Sequence, residues 1–254
     1  MALVTGGSRG IGRALALALA SRGAQVAIGA RSLAALELVK GEVERLGVAC
    51  LAQVCDVRDE HSVRALVESA AGSLGPIDIL VNNAAVYRTA PVKGHSLSVW
   101  KDVLETNLTG AFLASRWTVE SMIERHWGRV VNISSVSGKV AEAFGAAYSA
   151  SKFGLIGLTQ ALALEVAKYG ITVNAVCPGW VDTQMARDQI NDRQWLELNS
   201  LGAADGAEIT RLSIPQMRFI EPEEVANLVA YLCTEAARGI TGQAINICGG
   251  LSLH

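Results

Sequence analysis

The chain has 254 residues, half of them apolar and 18% charged, with a formal net charge of −2. That composition supports a large core in a single α/β domain, and its scattered Lys and Arg argue against nucleic-acid or polybasic membrane contact. The longest apolar stretches break at Arg, Glu or Gly well before the roughly 18 residues that a membrane span needs, and no charged-then-apolar leader precedes the first strand. The five cysteines (Cys50, Cys55, Cys177, Cys233 and Cys248) are odd in number and contain no C-x-x-C pair. Buried free thiols in a reducing cytoplasm are therefore expected, rather than disulfides or a metal site.

Short β-branched runs alternate with amphipathic helical runs, the pattern of βαβ units around a mainly parallel sheet. Residues 2–4 read as the first strand. Ile11, Ala14, Leu15, Ala18 and Leu19 then follow the spacing of a helix packed on a sheet. Between them, Thr5 to Gly12 carries glycines at 6, 10 and 12. Such a loop permits a tight turn, close backbone approach to a pyrophosphate and tight helix–strand contact, with the helix N-terminus aimed at the phosphates. Nucleotide binding is expected there.

Residues 25–30 form the second predicted strand, and Ser32 caps the next helix. The third strand spans 49–53 and ends near Asp56-Val57, followed by a helix over 59–74 and a strand over 79–82. Asn82-Asn83-Ala84-Ala85 follows at the carboxyl edge, where α/β sheets bind ligands. Helices are predicted over 96–106 and 108–125 with Asn107 at their joint, then a strand over 129–133 ending in Ser134-Ser135. A helix from 148 to 168 leads to a strand over 172–177 and to Pro178-Gly179. Pro222 opens the last long helix, and 244–247 closes the sheet. Nothing separates a second domain. Residues 183–220 mix apolar and polar residues without a sustained period, as expected of a lid; two surface helices are the alternative. His61, His95 and His126 lack ligand-like spacing and read as surface residues.

Tyr148 and Lys152 stand four apart in a helical run, so their side chains share one face. A neighbouring ammonium favours the phenolate; a drop of about three pKa units corresponds to roughly 4 kcal/mol. The tyrosine is then suited to general acid–base catalysis.

With these residues assembled, the chain resembles the short-chain dehydrogenase/reductase family from end to end. Thr5 to Gly12 resembles its glycine motif, and Asn82-Asn83-Ala84 its Asn-Asn-Ala-Gly motif, with Ala85 in place of the glycine. Asn107, Ser135, Tyr148 and Lys152 match its catalytic four, and Pro178, Gly179 and Thr183 the segment beside the nicotinamide. The resemblance implies a single-domain, doubly wound Rossmann fold over residues 1–254, with a seven-stranded sheet and helices on both faces. It implies cofactor contacts from Gly6, Ser8, Arg9, Gly10, Ile11, Gly12, Arg31, Asp56, Val57, Asn83, Ala84, Tyr148, Lys152, Pro178, Gly179, Val181 and Thr183, with Asp56 at the adenine. Ser135 is implied to bind the carbonyl oxygen and Tyr148 to move the proton. Lys152 is implied to lower the Tyr148 pKa and bond the nicotinamide ribose, and Asn107 to hold a water linking Lys152 to solvent.

Cofactor choice follows from charge. Relatives that prefer NAD usually end the second strand in an acidic residue; here Ala30 stands there, followed by Arg31, with Arg9 in the glycine loop. Two guanidinium groups and no carboxylate suit a 2′-phosphate, so NADP(H) is expected over NAD(H). The long lid and the ending from Gln243 to Leu251 resemble 3-oxoacyl-thioester and polyketide ketoreductases. A ketone reduced to a secondary alcohol is the implied reaction, the ketone being free or carried on coenzyme A or a carrier protein. Gly170 stands where carrier-protein-dependent relatives have a basic residue, which favours coenzyme A or a free ketone. An alcohol, polyol or hydroxy-acid dehydrogenase working oxidatively is the alternative, and a non-catalytic NADP-binding protein a further one. Ala161, Leu162, Leu164 and Glu165, with Phe112, Leu113 and Trp117, offer a helix–helix face, and 245–253 a second, for a homotetramer.

Overall fold

The computed structural model describes residues 1–201 and 205–254. Seven strands, β1 (Ala2–Thr5), β2 (Val26–Ala30), β3 (Cys50–Val54), β4 (Ile79–Asn82), β5 (Gly128–Ile133), β6 (Ile171–Pro178) and β7 (Ala244–Ile247), form one sheet in the order β3-β2-β1-β4-β5-β6-β7. Every pairing is parallel, not only most of them. The order reverses between β1 and β4, which opens a crevice at their carboxyl ends.

Strand alternation builds two cores. Ala2, Val4, Val26, Ile28, Val81 and Val131 face α1 (Gly10–Ala20), α2 (Leu33–Glu44) and the last long helix. Leu3, Ala27, Leu80, Val130 and Val173 face α3 (Glu60–Leu74) and two further helices on the other side. Leu3, Leu15, Ile28, Leu36, Leu66 and Leu80 are fully buried, each contributing about 1.5–3 kcal/mol by leaving water. Ser32 and Asp59 cap α2 and α3 through their side-chain oxygens.

Four features differ from the sequence expectations. Asn107 is no simple joint: α4 (Leu97–Leu104) and α5 (Gly110–Arg125) run into each other through one π-helical turn, Glu105–Thr109. An inserted residue of that kind changes the direction of side chains and marks functional sites. The long helix α6 (Ala146–Val166) starts two residues before Tyr148. The 183–220 segment holds three short helices, α7 (Gln184–Ile190), α8 (Arg193–Leu198) and α9 (Gly206–Ser213), before α10 (Pro222–Leu232); its residues 202–204 lie outside the described residues. A bridge from Val181 to Ile220 closes the base of the segment. All five cysteines are buried free thiols. His61 and His126 are exposed, but His95 is not a surface group: both its ring nitrogens are buried, and its ring stands edge-on to Trp100.

Candidate active site

The glycine loop is shaped by its own backbone. Gly6 and Gly10 have φ of +66° and +53°, where a side chain is strained. A Cβ on Gly12 would stand 2.1 Å from the Gly6 carbonyl oxygen. Thr5 Oγ1 accepts from the backbone N–H groups of Asn83 and Ala84, and Asn83 Nδ2 donates to the carbonyls of Thr5 and Gly6. The Asn-Asn-Ala segment after β4 thus braces the loop after β1. Ala85 keeps a negative φ, so alanine is tolerated in place of glycine. The first turn of α1 has neither a side-chain cap nor an acidic residue, leaving its N–H groups and positive dipole end to an anion.

The second half of the site hangs on β5, β6 and α6. Ser134 Oγ donates to the Lys152 carbonyl, and a Cβ on Gly138 would lie 2.8 Å from that same oxygen. The turn Val136–Gly138 therefore packs directly on α6 and carries Ser135 toward Tyr148. Ser135 Oγ accepts from the Ser137 N–H at 3.1 Å, which leaves its own hydroxyl proton to donate elsewhere. Buried Lys152 donates to the Ile133 carbonyl at 2.8 Å, with two N–H groups to spare. Its Nζ stands 5.6 Å from the centre of the Tyr148 ring.

Ionisation runs opposite to the sequence expectation. Burial pushes the Tyr148 phenol above its usual value, the Glu142 carboxyl adds to the rise, and Ser135 opposes it. Lys152 is not among the causes; burial pushes its own ammonium down to about 8. Desolvation shifts both groups toward their neutral forms. Tyr148 consequently holds its proton at neutral pH.

Asn107 is almost fully buried. Its Oδ1 accepts from the Val86 N–H at 2.8 Å, and its Nδ2 donates to the Val86 carbonyl at 2.9 Å and Ser151 Oγ at 3.0 Å. The side chain is engaged with Val86 and Ser151 and makes no hydrogen bond to Lys152. It clamps the segment after β4 to α6.

A cavity of about 810 Å³ runs across this edge of the sheet. Gly6, Ser8, Arg9, Gly10, Ile11, Gly12, Arg31, Asp56, Val57, Asn83 and Ala84 line one part of it, and Ser135, Tyr148, Lys152, Pro178, Gly179, Val181 and Thr183 another. Of the predicted site residues, only Asn107 stands behind the wall. Arg58 grips the Asp56 carboxylate through Nε at 3.0 Å and Nη2 at 2.5 Å, holding the carboxyl below its usual range. Arg9 and Arg31 are exposed at the cavity and make no ion pair among the described residues. A glycine cradle that any Cβ would fill and two unpaired guanidinium groups beside Ala30 fit a dinucleotide carrying a 2′-phosphate.

Sequence reasoning missed Tyr87 and Glu142, which also line the cavity. Tyr87 stands two residues beyond the Asn-Asn-Ala-Ala segment, a local signal that marked its position; Glu142 sits in an aperiodic loop with none.

The chain belongs to the short chain dehydrogenase family, matched over residues 1–194. It is 40% identical over 253 residues to a provisionally assigned ketoacyl reductase of Streptomyces coelicolor, covering 99% of this chain and 96% of that protein. It is 39% identical over 252 residues to a 3-oxoacyl-(acyl-carrier-protein) reductase of Aquifex aeolicus, with 99% and 96% covered. A single-substitution variant of actinorhodin polyketide ketoreductase, solved with NADPH, superposes with a TM-score of 0.94 at 40% identity, over 98% of this chain and 96% of that one.

Proposed function

We propose that this chain reduces a ketone to a secondary alcohol with NADPH, with 3-oxoacyl thioesters and polyketide-like ketones as the substrate class. The observation that carries the proposal is the convergence of Ser135, Tyr148 and Lys152 on the cavity that also holds the glycine cradle, Arg9 and Arg31. Relatives named as ketoacyl and polyketide ketoreductases, one of them with NADPH, support the same chemistry.

The reduced nicotinamide supplies, when bound, a hydride for the carbonyl carbon. Ser8, Ile11 and the N–H groups at the start of α1 hold the pyrophosphate, and Arg9 and Arg31 the 2′-phosphate. Asp56 and Val57 line the adenine end, while Asn83 and Ala84 support the loop. Lys152 offers its spare N–H groups to the nicotinamide ribose, with Pro178, Gly179, Val181 and Thr183 beside the ring. Ser135 donates to the carbonyl oxygen where negative charge develops. Tyr148 then gives its phenolic proton to that oxygen. The reductase names of the relatives favour reduction over the oxidative alternative.

Gly170 no longer speaks against a carrier protein. Its φ of +73° and the 2.8 Å between a Cβ there and the His126 carbonyl require glycine for the backbone's sake. Carrier-bound and coenzyme A thioesters therefore both enter the proposal. The chain is proposed as one domain with a substrate lid over 183–220, whose start reaches the glycine loop: a Cβ on Gly10 would lie 3.3 Å from Thr183 Cγ2. No helix among the described residues is long and apolar enough to cross a membrane; with five free thiols, a reducing cytoplasm is the proposed compartment. A homotetramer is proposed on the exposed Phe112, Phe153 and Leu164 and on Leu253, although Leu113, expected on that face, is buried in the core. A panel of ketones and 3-oxoacyl thioesters, followed by NADPH absorbance, tests the function. Turnover on 3-oxoacyl thioesters is expected, and consumption of NADPH with none of the panel would refute it.

A further inference from the structure

Two polar side chains in the cavity take no part in the proton transfer. Glu142 lies between the 136–138 turn and α6, and Tyr87 lies in the loop after β4. The Ala90 N–H, donating to the Phe144 carbonyl at 2.9 Å, ties the two loops together. Phe144 takes a left-handed φ of +62° to make that contact. The Tyr87 ring stands edge-on to Tyr148 with centroids 5.0 Å apart, so this pair adjoins the proton donor.

The Glu142 carboxylate is poorly satisfied. A carboxylate accepts about four hydrogen bonds, yet Oε2 takes one long bond from Ser137 Oγ at 3.4 Å and Oε1 takes none. The Tyr87 hydroxyl is also buried without a partner. Burial pushes the Glu142 carboxyl above its usual range, and the nearby Tyr87 phenol opposes that rise, but the two do not complete a hydrogen bond. Although the carboxyl sits close to the start of α6, it caps no backbone N–H. Gly145 makes room for it, since a Cβ there would meet Oε1 at 2.5 Å. Buried polar groups are as a rule paired.

We propose that Glu142 is a specificity-determining residue that accepts a hydrogen bond from a hydroxyl group on the substrate, selecting hydroxylated ketones over purely aliphatic ones. The proposal rests on the ketone-reductase reading of the same cavity. A hydroxyl matches the pair of groups: it donates to the carboxylate and can accept from the Tyr87 phenol. An ammonium has no lone pair for that phenol and meets the Lys152 cation at the same cavity. An alkyl chain leaves both oxygens without a partner.

The test uses matched methyl ketones in which a terminal hydroxyl replaces a terminal methyl, hydroxyacetone against butanone being the shortest pair. The kcat/KM ratio, hydroxylated over aliphatic, is measured with NADPH for the parent, Glu142→Gln and Tyr87→Phe. NADPH fluorescence titration of each variant reports an intact cofactor site. A hydrogen bond to a charged group predicts a parent ratio of roughly 10–100 for the pair whose length suits the cavity. Glu142→Gln should lower that ratio about tenfold, and Tyr87→Phe by less. Reduction of both members of every pair, with ratios near one in the parent or equal in parent and Glu142→Gln, overturns the assignment and leaves the reductase standing. Reduction of none of these ketones and none of the 3-oxoacyl thioesters overturns both.

Discussion

Replacing Asn107 with alanine separates a structural clamp from a direct part in the reaction. The substitution removes three hydrogen bonds at a side chain that is 1% exposed: those to the Val86 N–H, the Val86 carbonyl and Ser151 Oγ. Both Val86 backbone groups are then left without their partner. An unsatisfied buried group costs about 1–3 kcal/mol, so the pair predicts a loss of roughly 2–4 kcal/mol, allowing for partial relief by water. For a chain of this size, each kcal/mol moves Tm by about 2–4 °C, giving a fall of roughly 4–16 °C. Thermal melts and urea titrations of parent, Asn107→Ala and Asn107→Asp supply the measurement. Aspartate keeps the acceptor for the Val86 N–H but loses both donations, so it should also be destabilised. Because Tyr87 adjoins Val86, the KM for the ketone should rise in both variants. An Asn107→Ala protein melting within about 2 °C of the parent, with turnover nevertheless down a hundredfold or more, would refute the clamp.

Arg31→Asp, alone or with Arg9→Ser, should shift the kcat/KM preference from NADPH toward NADH, since the carboxylate repels a 2′-phosphate and accepts from a 2′-hydroxyl; an unchanged ratio means that neither arginine reads the phosphate. Lys152→Met should gain on the parent in urea stability at neutral pH. Below about 8 the parent buries a charged ammonium, and between about 8 and the ordinary 10.5 its folded state sheds the proton before its unfolded state does. Parent stability therefore rises with pH through that window, and the advantage of the methionine variant should shrink; a constant difference from pH 7 to 10.5 would contradict the depressed ammonium. Light scattering at micromolar concentration should give about four times the 26.7 kDa chain mass, while a mass near one chain would rule the oligomer out.

The fold was legible because its information is local. Periodicity placed β4 and β7 to the residue, and the glycines of Thr5 to Gly12 marked the first strand–helix crossing. The four-residue spacing of Tyr148 and Lys152 correctly put them on one helix. It could not supply their environment: Lys152 turns to the Ile133 carbonyl, and burial reverses the expected shift of the phenol. Asn107 was found by position, but its attachment to Val86 spans 21 residues and leaves no mark in either segment. His95 and Leu113 were misplaced because loop packing and helix phase across a π-turn are settled by tertiary contacts. Glu142 gave no signal, since a single acid in an aperiodic loop looks the same whether it faces solvent or a cavity.

Proton donation by Tyr148 during NADPH-dependent ketone reduction is tested most directly by the turnover of Tyr148→Phe on a ketone that the parent reduces. Loss of the general acid should lower kcat by two or more orders of magnitude, with the fold intact and NADPH affinity within a few-fold of the parent by fluorescence titration. A kcat within about threefold of the parent would contradict the assignment, because a lost general acid removes at least about a hundredfold.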